Sequence, residues 1–256
     1  MSRTKKTFSQ QASMLRLPVL IAVMAIVILT SCRIEVNGAN GDHDRRRNFV
    51  TRSVPVSSFT AVKLTSSVDV KYVPSDTFAV ILRGPKSYID QLVVKVENGA
   101  LYIGEKEHAD GITIIGFVHD DDDVKVIVKA PKINNVAMYG SGSFECDGTM
   151  RSESLTLSIA GSGDIDVKNI EASSVSAEVA GSGDIEAMLT GVRTTNVRVA
   201  GSGDVDFKFR RCGDVNAKIA GSGDVSLSGR IESLSQNVAG SGEIDTEKLT
   251  VAPLNQ

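Results

Sequence analysis

Residues 161–180 read GSGDIDVKNIEASSVSAEVA, and the same design returns in residues 181–200, GSGDIEAMLTGVRTTNVRVA, and in residues 201–220, GSGDVDFKFRRCGDVNAKIA. Gly-Ser-Gly begins at Gly140, Gly161, Gly181, Gly201, Gly221 and Gly240, at spacings of 21, 20, 20, 20 and 19 residues. A fixed period of this size is the signature of a solenoid, whose coils bury their apolar faces only against one another. Within one period, Gly-Ser-Gly reads as a tight corner where glycine adopts backbone angles that other residues resist. Asp164-Ile165-Asp166-Val167 then alternates out and in, as a half-buried strand does. A second corner falls at about residues 169–174, and Val175-Ser176-Ala177-Glu178-Val179 alternates again on the way back. Two strands and two corners make one coil.

Coils stacked in register place equivalent residues about 4.8 Å apart, so columns can be written from the sequence. Phe144, Ile165, Ile185, Val205, Val225 and Ile244 form one inward column, and Cys146, Val167, Ala187, Phe207 and Leu227 the next. The return strand contributes Leu157, Ala177, Val197, Ala217 and Gln236, and also Ile159, Val179, Val199, Ile219 and Val238. Large and small residues mix within each column, as a thin core requires. Cys146 lies three coils from Cys212, which reads as a corner residue. Three rungs are about 14 Å, beyond the roughly 7 Å Cα separation a disulfide tolerates. Two free thiols are expected, with Cys146 acting as a small core hydrophobe.

Upstream of the repeats, residues 49–139 carry shorter alternating runs at Val68–Tyr72, Val93–Val96, Leu101–Ile103 and Val124–Val128, separated by Gly, Pro, Asn or Asp. This is strand patterning throughout, apart from one short helical turn expected within residues 85–92. The fold class expected is all-β, with irregular coils over 49–139 and regular ones over 140–250.

The first 48 residues differ in kind. Lys5, Lys6 and Arg16 precede an unbroken apolar run from Val19 to Leu29. That run is too short to cross a hydrocarbon core of about 30 Å as a helix, and it matches the apolar region of a signal peptide. It ends in Leu29-Thr30-Ser31-Cys32, which looks like a bacterial lipobox, with acylation expected on the Cys32 thiol. Residues 1–31 are therefore read as a signal peptide, and residues 32–48 as an anchor and flexible tether rich in Gly, Asn and charge. Residues 49–256 are read as the β-domain. Several acyl chains on one cysteine would anchor stably where one binds only marginally. Arg33, rather than an aspartate, follows the cysteine, which favours the outer membrane.

Without residues 1–31 the chain carries 24 basic against 31 acidic side chains, a formal net charge of −7. Such a surface argues against nucleic acid, whose binding depends on neutralising phosphates. Tryptophan is absent, and four Tyr and eight Phe leave little for a carbohydrate module built on stacked aromatic platforms.

The lipobox, the Phe-x-x-Val at Phe59, the runs VPSDTFAVILRG and LVVKVENGALYIG, and APKINNVAMYGSGSF leading into repeated GSG(D/E)(I/V) together resemble the head GIN domain family. The likeness covers roughly residues 50–250. Membership implies a right-handed, single-stranded parallel β-helix; the family is catalogued as auto-transporter adhesins, but membership implies no biochemical activity and brings no catalytic residues with it.

Two outward columns of the first strand are acidic. One reads Ser143, Asp164, Asp184, Asp204, Asp224, Glu243, and the other Glu145, Asp166, Glu186, Asp206, Ser226, Asp245. Unit charges at this spacing repel by about 0.9 kcal/mol even in water, so the ladder needs relief. Either the wall binds a divalent cation weakly through hard oxygen ligands, or each Asp caps its own Gly-Ser-Gly corner through backbone N–H groups, with Lys168 and Lys208 nearby. The capping reading is favoured. The return wall, with Ser158, Glu178, Arg198, Lys218, Asn237 and Thr156, Ser176, Asn196, Asn216, Ser235, is polar and mixed in charge. Asn and Ser ladders and a Glu178–Arg198 pair are expected on it, and it reads as a solvated wall, with a surface for a glycan or protein as the alternative. His119-Asp120-Asp121-Asp122-Asp123 reads as a solvated turn, and His43 and His108 as tether and loop. No cofactor is implied. The function expected is a non-enzymatic adhesion or binding lipoprotein, with a polysaccharide-degrading β-helix enzyme or a purely structural envelope protein as rivals.

Overall fold

The computed structural model describes residues 49–106 and 124–253. The chain runs through β1 (Phe49–Val54), β2 (Ala61–Leu64), β3 (Asp69–Pro74), β4 (Ala79–Pro85), one helical turn α1 (Lys86–Ile89), β5 (Leu92–Glu97), β6 (Ala100–Glu105), β7 (Lys125–Ala130) and β8 (Asn135–Met138). The repeat region follows as β9 (Ser143–Ile159), β10 (Asp164–Val179), β11 (Ile185–Thr190), β12 (Thr194–Val199), β13 (Val205–Gly221), β14 (Val225–Gly240), β15 (Ile244–Asp245) and β16 (Leu249–Val251). All sixteen strands of the described residues belong to one continuous sheet wound into a parallel β-helix.

The inward columns read from the sequence are the columns of the core. Phe144 pairs with Ile165, then Ile185, Val205, Val225 and Ile244 follow rung by rung. Leu157, Ala177, Val197, Ala217 and Gln236 align likewise on the return wall. Ile165, Val167, Val175, Ala177 and Val179 are all buried within one coil. Fully burying a Val, Leu or Ile side chain is worth about 1.5–3 kcal/mol, and stacking is what achieves it here. The column ends where the stack ends: Val238, in the return half of β14, is 44% exposed.

The second bend differs from the corner expected there. β9, β10, β13 and β14 are continuous bent strands, and pairing persists through Asn169↔Thr149, Ile170↔Met150, Glu171↔Arg151 and Ala172↔Ser152. Register shifts between Val167 and Asn169, and between Phe209 and Cys212, absorb the 21- and 19-residue spacings as bulges. The bend also contributes core. Met150, Ile170, Leu189 and Phe209 are buried, and Cys212 lies fully buried opposite Ile231 rather than on a surface corner.

Upstream, the stack does not follow chain order. β2 and β3 form a coil joined by Thr65–Val68, directly beneath the coil that begins with β8 and β9. On its other side lie β6, paired with β2, and β7, paired with β3, although both come later in the chain. This inner end is then closed by antiparallel strands: β4 on β7, β1 on β4 and β5 on β6. Such capping protects an exposed edge from further pairing. Within α1, Ile89 is fully buried, while Lys86 and Arg52 both hydrogen-bond Asp90 and hold its carboxyl down at about 2.

Candidate functional site

Along the first wall, the exposed carboxylates form a bonded ladder. Asp164 accepts the backbone N–H of Asp184 at 3.0 Å, Asp184 that of Asp204 at 2.7 Å, Asp204 that of Asp224 at 2.7 Å and Asp224 that of Glu243 at 2.8 Å. Asp69 starts the row, accepting both the N–H and the hydroxyl of Ser143. The capping expected of these residues is therefore corrected in one respect: each aspartate serves the following coil, not its own corner. The carboxylate one rung below is the acceptor within reach of each of these N–H groups.

The second acidic column, with Asp166, Glu186 and Asp206, is exposed and shares its strands with Lys168 and Lys208 two residues on. At the inner end of the wall, Lys71 is ion-paired with Asp147. Among the described residues, no cluster of three or more His, Cys, Asp or Glu is arranged to hold a metal ion.

Asp204→Asn keeps an acceptor and removes one charge from the column, so its melting temperature should hold or rise slightly. Asp204→Ala strips the acceptor from the Asp224 N–H and should cost about 1 kcal/mol. Equal losses in both variants, or a rise in melting temperature on adding calcium to the wild type, would mean that the wall uses its charge to hold a cation.

The corner glycines also carry a correction. Among Gly140, Gly161, Gly181, Gly201, Gly221 and Gly240, only Gly240 has a left-handed φ, of 144°. What the others require is space. A Cβ on Gly161, Gly181, Gly201 or Gly221 would lie 2.1–2.4 Å from the carbonyl oxygen of the glycine one coil below. These corners pack backbone on backbone, and the intervening serines are exposed.

On the return wall, Arg198 donates to Glu178 at 3.0 Å and Asn216 to the Asn196 side chain at 3.4 Å. The second bend carries a feature not drawn from the sequence: an open groove of about 660 Å³ lined by Lys132, Asn134, Ser152, Glu153, Ser154, Ser173, Ser174, Arg193 and Thr194. Ser154, Ser174 and Thr194 are register partners in successive coils. The signal was present as hydroxyl residues recurring at twenty-residue spacing. Locally that segment has the composition of a corner, and only the rung register aligns its hydroxyls.

Cys146 and Cys212 are both free and buried, and burial pushes both thiols above the ordinary range. Cys212 Sγ also lies 3.3 Å from the Leu189 carbonyl oxygen. Neither is placed to act as a thiolate nucleophile. Cys32, the 32–48 tether, His43, His108 and the His119–Asp123 run lie outside the described residues. No helix among the described residues is long and apolar enough to cross a membrane.

A family model described as "Putative auto-transporter adhesin, head GIN domain" matches residues 58–208 and again residues 189–255. The chain belongs to this family. The two overlapping matches together span both the capped end and the repeat coils of this head GIN domain protein.

Solved structures agree in fold. A "putative adhesin" of Bacteroides fragilis superposes with a TM-score of 0.62 at 17% identity, covering 77% of this chain and 96% of that one. A "putative lipid binding protein" of Parabacteroides distasonis gives 0.59 at 22% identity over the same shares, and a "putative adhesin" of that species gives 0.51 at 15%, again over 77% and 96%. None of the curated proteins matches. At these identities the likeness carries the architecture and no ligand.

Proposed function

We propose that this head GIN domain protein is a non-enzymatic binding lipoprotein of the cell envelope, held to the outer membrane through an acylated Cys32 and a tether over residues 33–48. The observation that carries the reading is the constant register of the coils. Equivalent outward side chains repeat at rung spacing on a rigid scaffold, and polar groups such as Asp184 and Asp204 are engaged in holding the next coil. A surface of that kind suits multipoint contact with an extended ligand. The family's adhesin description and the adhesin fold of the Bacteroides fragilis protein support the same assignment.

The anchor is tested by Cys32→Ser. The wild-type chain is expected in the membrane fraction with acyl chains on its first mature residue by mass spectrometry, and the variant in the soluble fraction. An unmodified Cys32 in the wild type would remove the anchor from the proposal. Incubating the purified chain with acidic and neutral glycans should release no new reducing ends; release that depended on particular carboxylates would make it an enzyme.

A further inference from the structure

The groove at the second bend differs from the acidic wall in charge and in chemistry. Its two cations, Lys132 and Arg193, make no ion pair with any described residue and are open to an anion. By the register that continues from Asn135↔Thr156, Lys132 stands at one end of the groove and Arg193 three coils further along. Three rungs separate them by about 14 Å. Between them lie Ser152, Ser154, Ser173, Ser174 and Thr194, together with Asn134 and a single acid, Glu153. Ser154, Ser174 and Thr194 repeat once per coil, a spacing close to the length of one pyranose ring along an extended polysaccharide. The next position in that column is Asp214, which already accepts the Ser233 hydroxyl at 2.6 Å, so the hydroxyl row ends there.

From this arrangement we infer that the groove binds an acidic oligosaccharide, a short run of hexuronate units lying along the helix axis. Arg193 and Lys132 take carboxylates, and the row of hydroxyls with Asn134 takes ring hydroxyls. No aromatic side chain lines the groove, so a neutral sugar would lack the stacking surface that usually supplies its affinity. A carboxylated sugar gains instead from charge-assisted hydrogen bonds, for which an arginine fork is well shaped. Such a ligand is repelled by the acidic wall, which confines it to this bend. The inference rests on the binding-lipoprotein reading and adds the ligand class and its seat.

The test titrates the full acylated chain in detergent with oligogalacturonate, with a neutral maltooligosaccharide of equal length, and with glycerol phosphate as the soluble anionic headgroup of a lipid. Oligogalacturonate should bind, weakening as salt is raised, and Arg193→Gln should weaken it at least tenfold. Arg210→Gln, which removes an exposed cation outside the groove, should leave binding within twofold, and Glu153→Gln should leave it unchanged or tighten it. The assignment is overturned by no uptake of oligogalacturonate, by equal losses in the two arginine variants, or by a preference for the neutral sugar or for glycerol phosphate. Adhesion to another glycan that ignores Arg193→Gln would sink the groove and leave the binding-lipoprotein reading standing. Cleavage of oligogalacturonate would sink that reading itself.

Discussion

Gly183→Ala should destabilise the protein by about 3 kcal/mol or more, at the upper end of what overpacking costs in a closed core. A Cβ built on Gly183 would stand 1.9 Å from the Gly163 carbonyl oxygen and 2.9 Å from its carbonyl carbon. Both are backbone atoms, so no side chain can swing aside. Relief would require the coils to part, and the Asp164–Asp184 bond and the neighbouring corner hydrogen bonds would open with them. Gly191→Ala is the informative control. Its φ of +66° strains an alanine, but nothing lies within 4 Å of the added atom, so a loss of about 1–2 kcal/mol is expected from backbone conformation alone. Urea unfolding of the two variants beside the wild type separates these causes. A Gly183→Ala midpoint indistinguishable from the wild type would mean that the corners are not stacked as described.

Phe207→Ala should cost about 3–5 kcal/mol, the usual range for deleting a buried aromatic ring. Phe207 is fully buried and meets Phe209 edge-on with ring centroids 6.2 Å apart. One rung away in its column stand Ala187 on one side and Leu227 on the other, and the return strand of its own coil holds Ala217. The two alanines offer little side-chain volume to collapse into the hole. Because coils contact only their neighbours, the damage should also be local. Hydrogen exchange should show protection lost first from residues after Gly201, with the antiparallel end around β1, β4 and α1 still folded. Uniform loss of protection along the whole chain would show instead that the solenoid unfolds as one cooperative unit.

The repeat half was legible because periodicity of two and of twenty reports which residues share a face. Ile165, Ile185 and Val205 could be assigned to one column with no knowledge of anything distant in the chain, and so could the acidic faces and the separation of Cys146 from Cys212. The Glu178–Arg198 pair follows from the same register. By itself, then, the sequence determined the coil length, the inward and outward sets, and the short helical turn near Lys86. Tertiary structure alone decided where β6 and β7 insert beneath β2 and β3, because that pairing joins segments with no shared repeat and rests on non-local contact. It also decided that the second bend is paired strand bearing a groove, that each aspartate serves the coil above, and that the corner glycines answer to a carbonyl oxygen one rung below. In each case the cause is an atom brought close by stacking, roughly twenty residues or more away along the chain, and local pattern holds no record of such an atom.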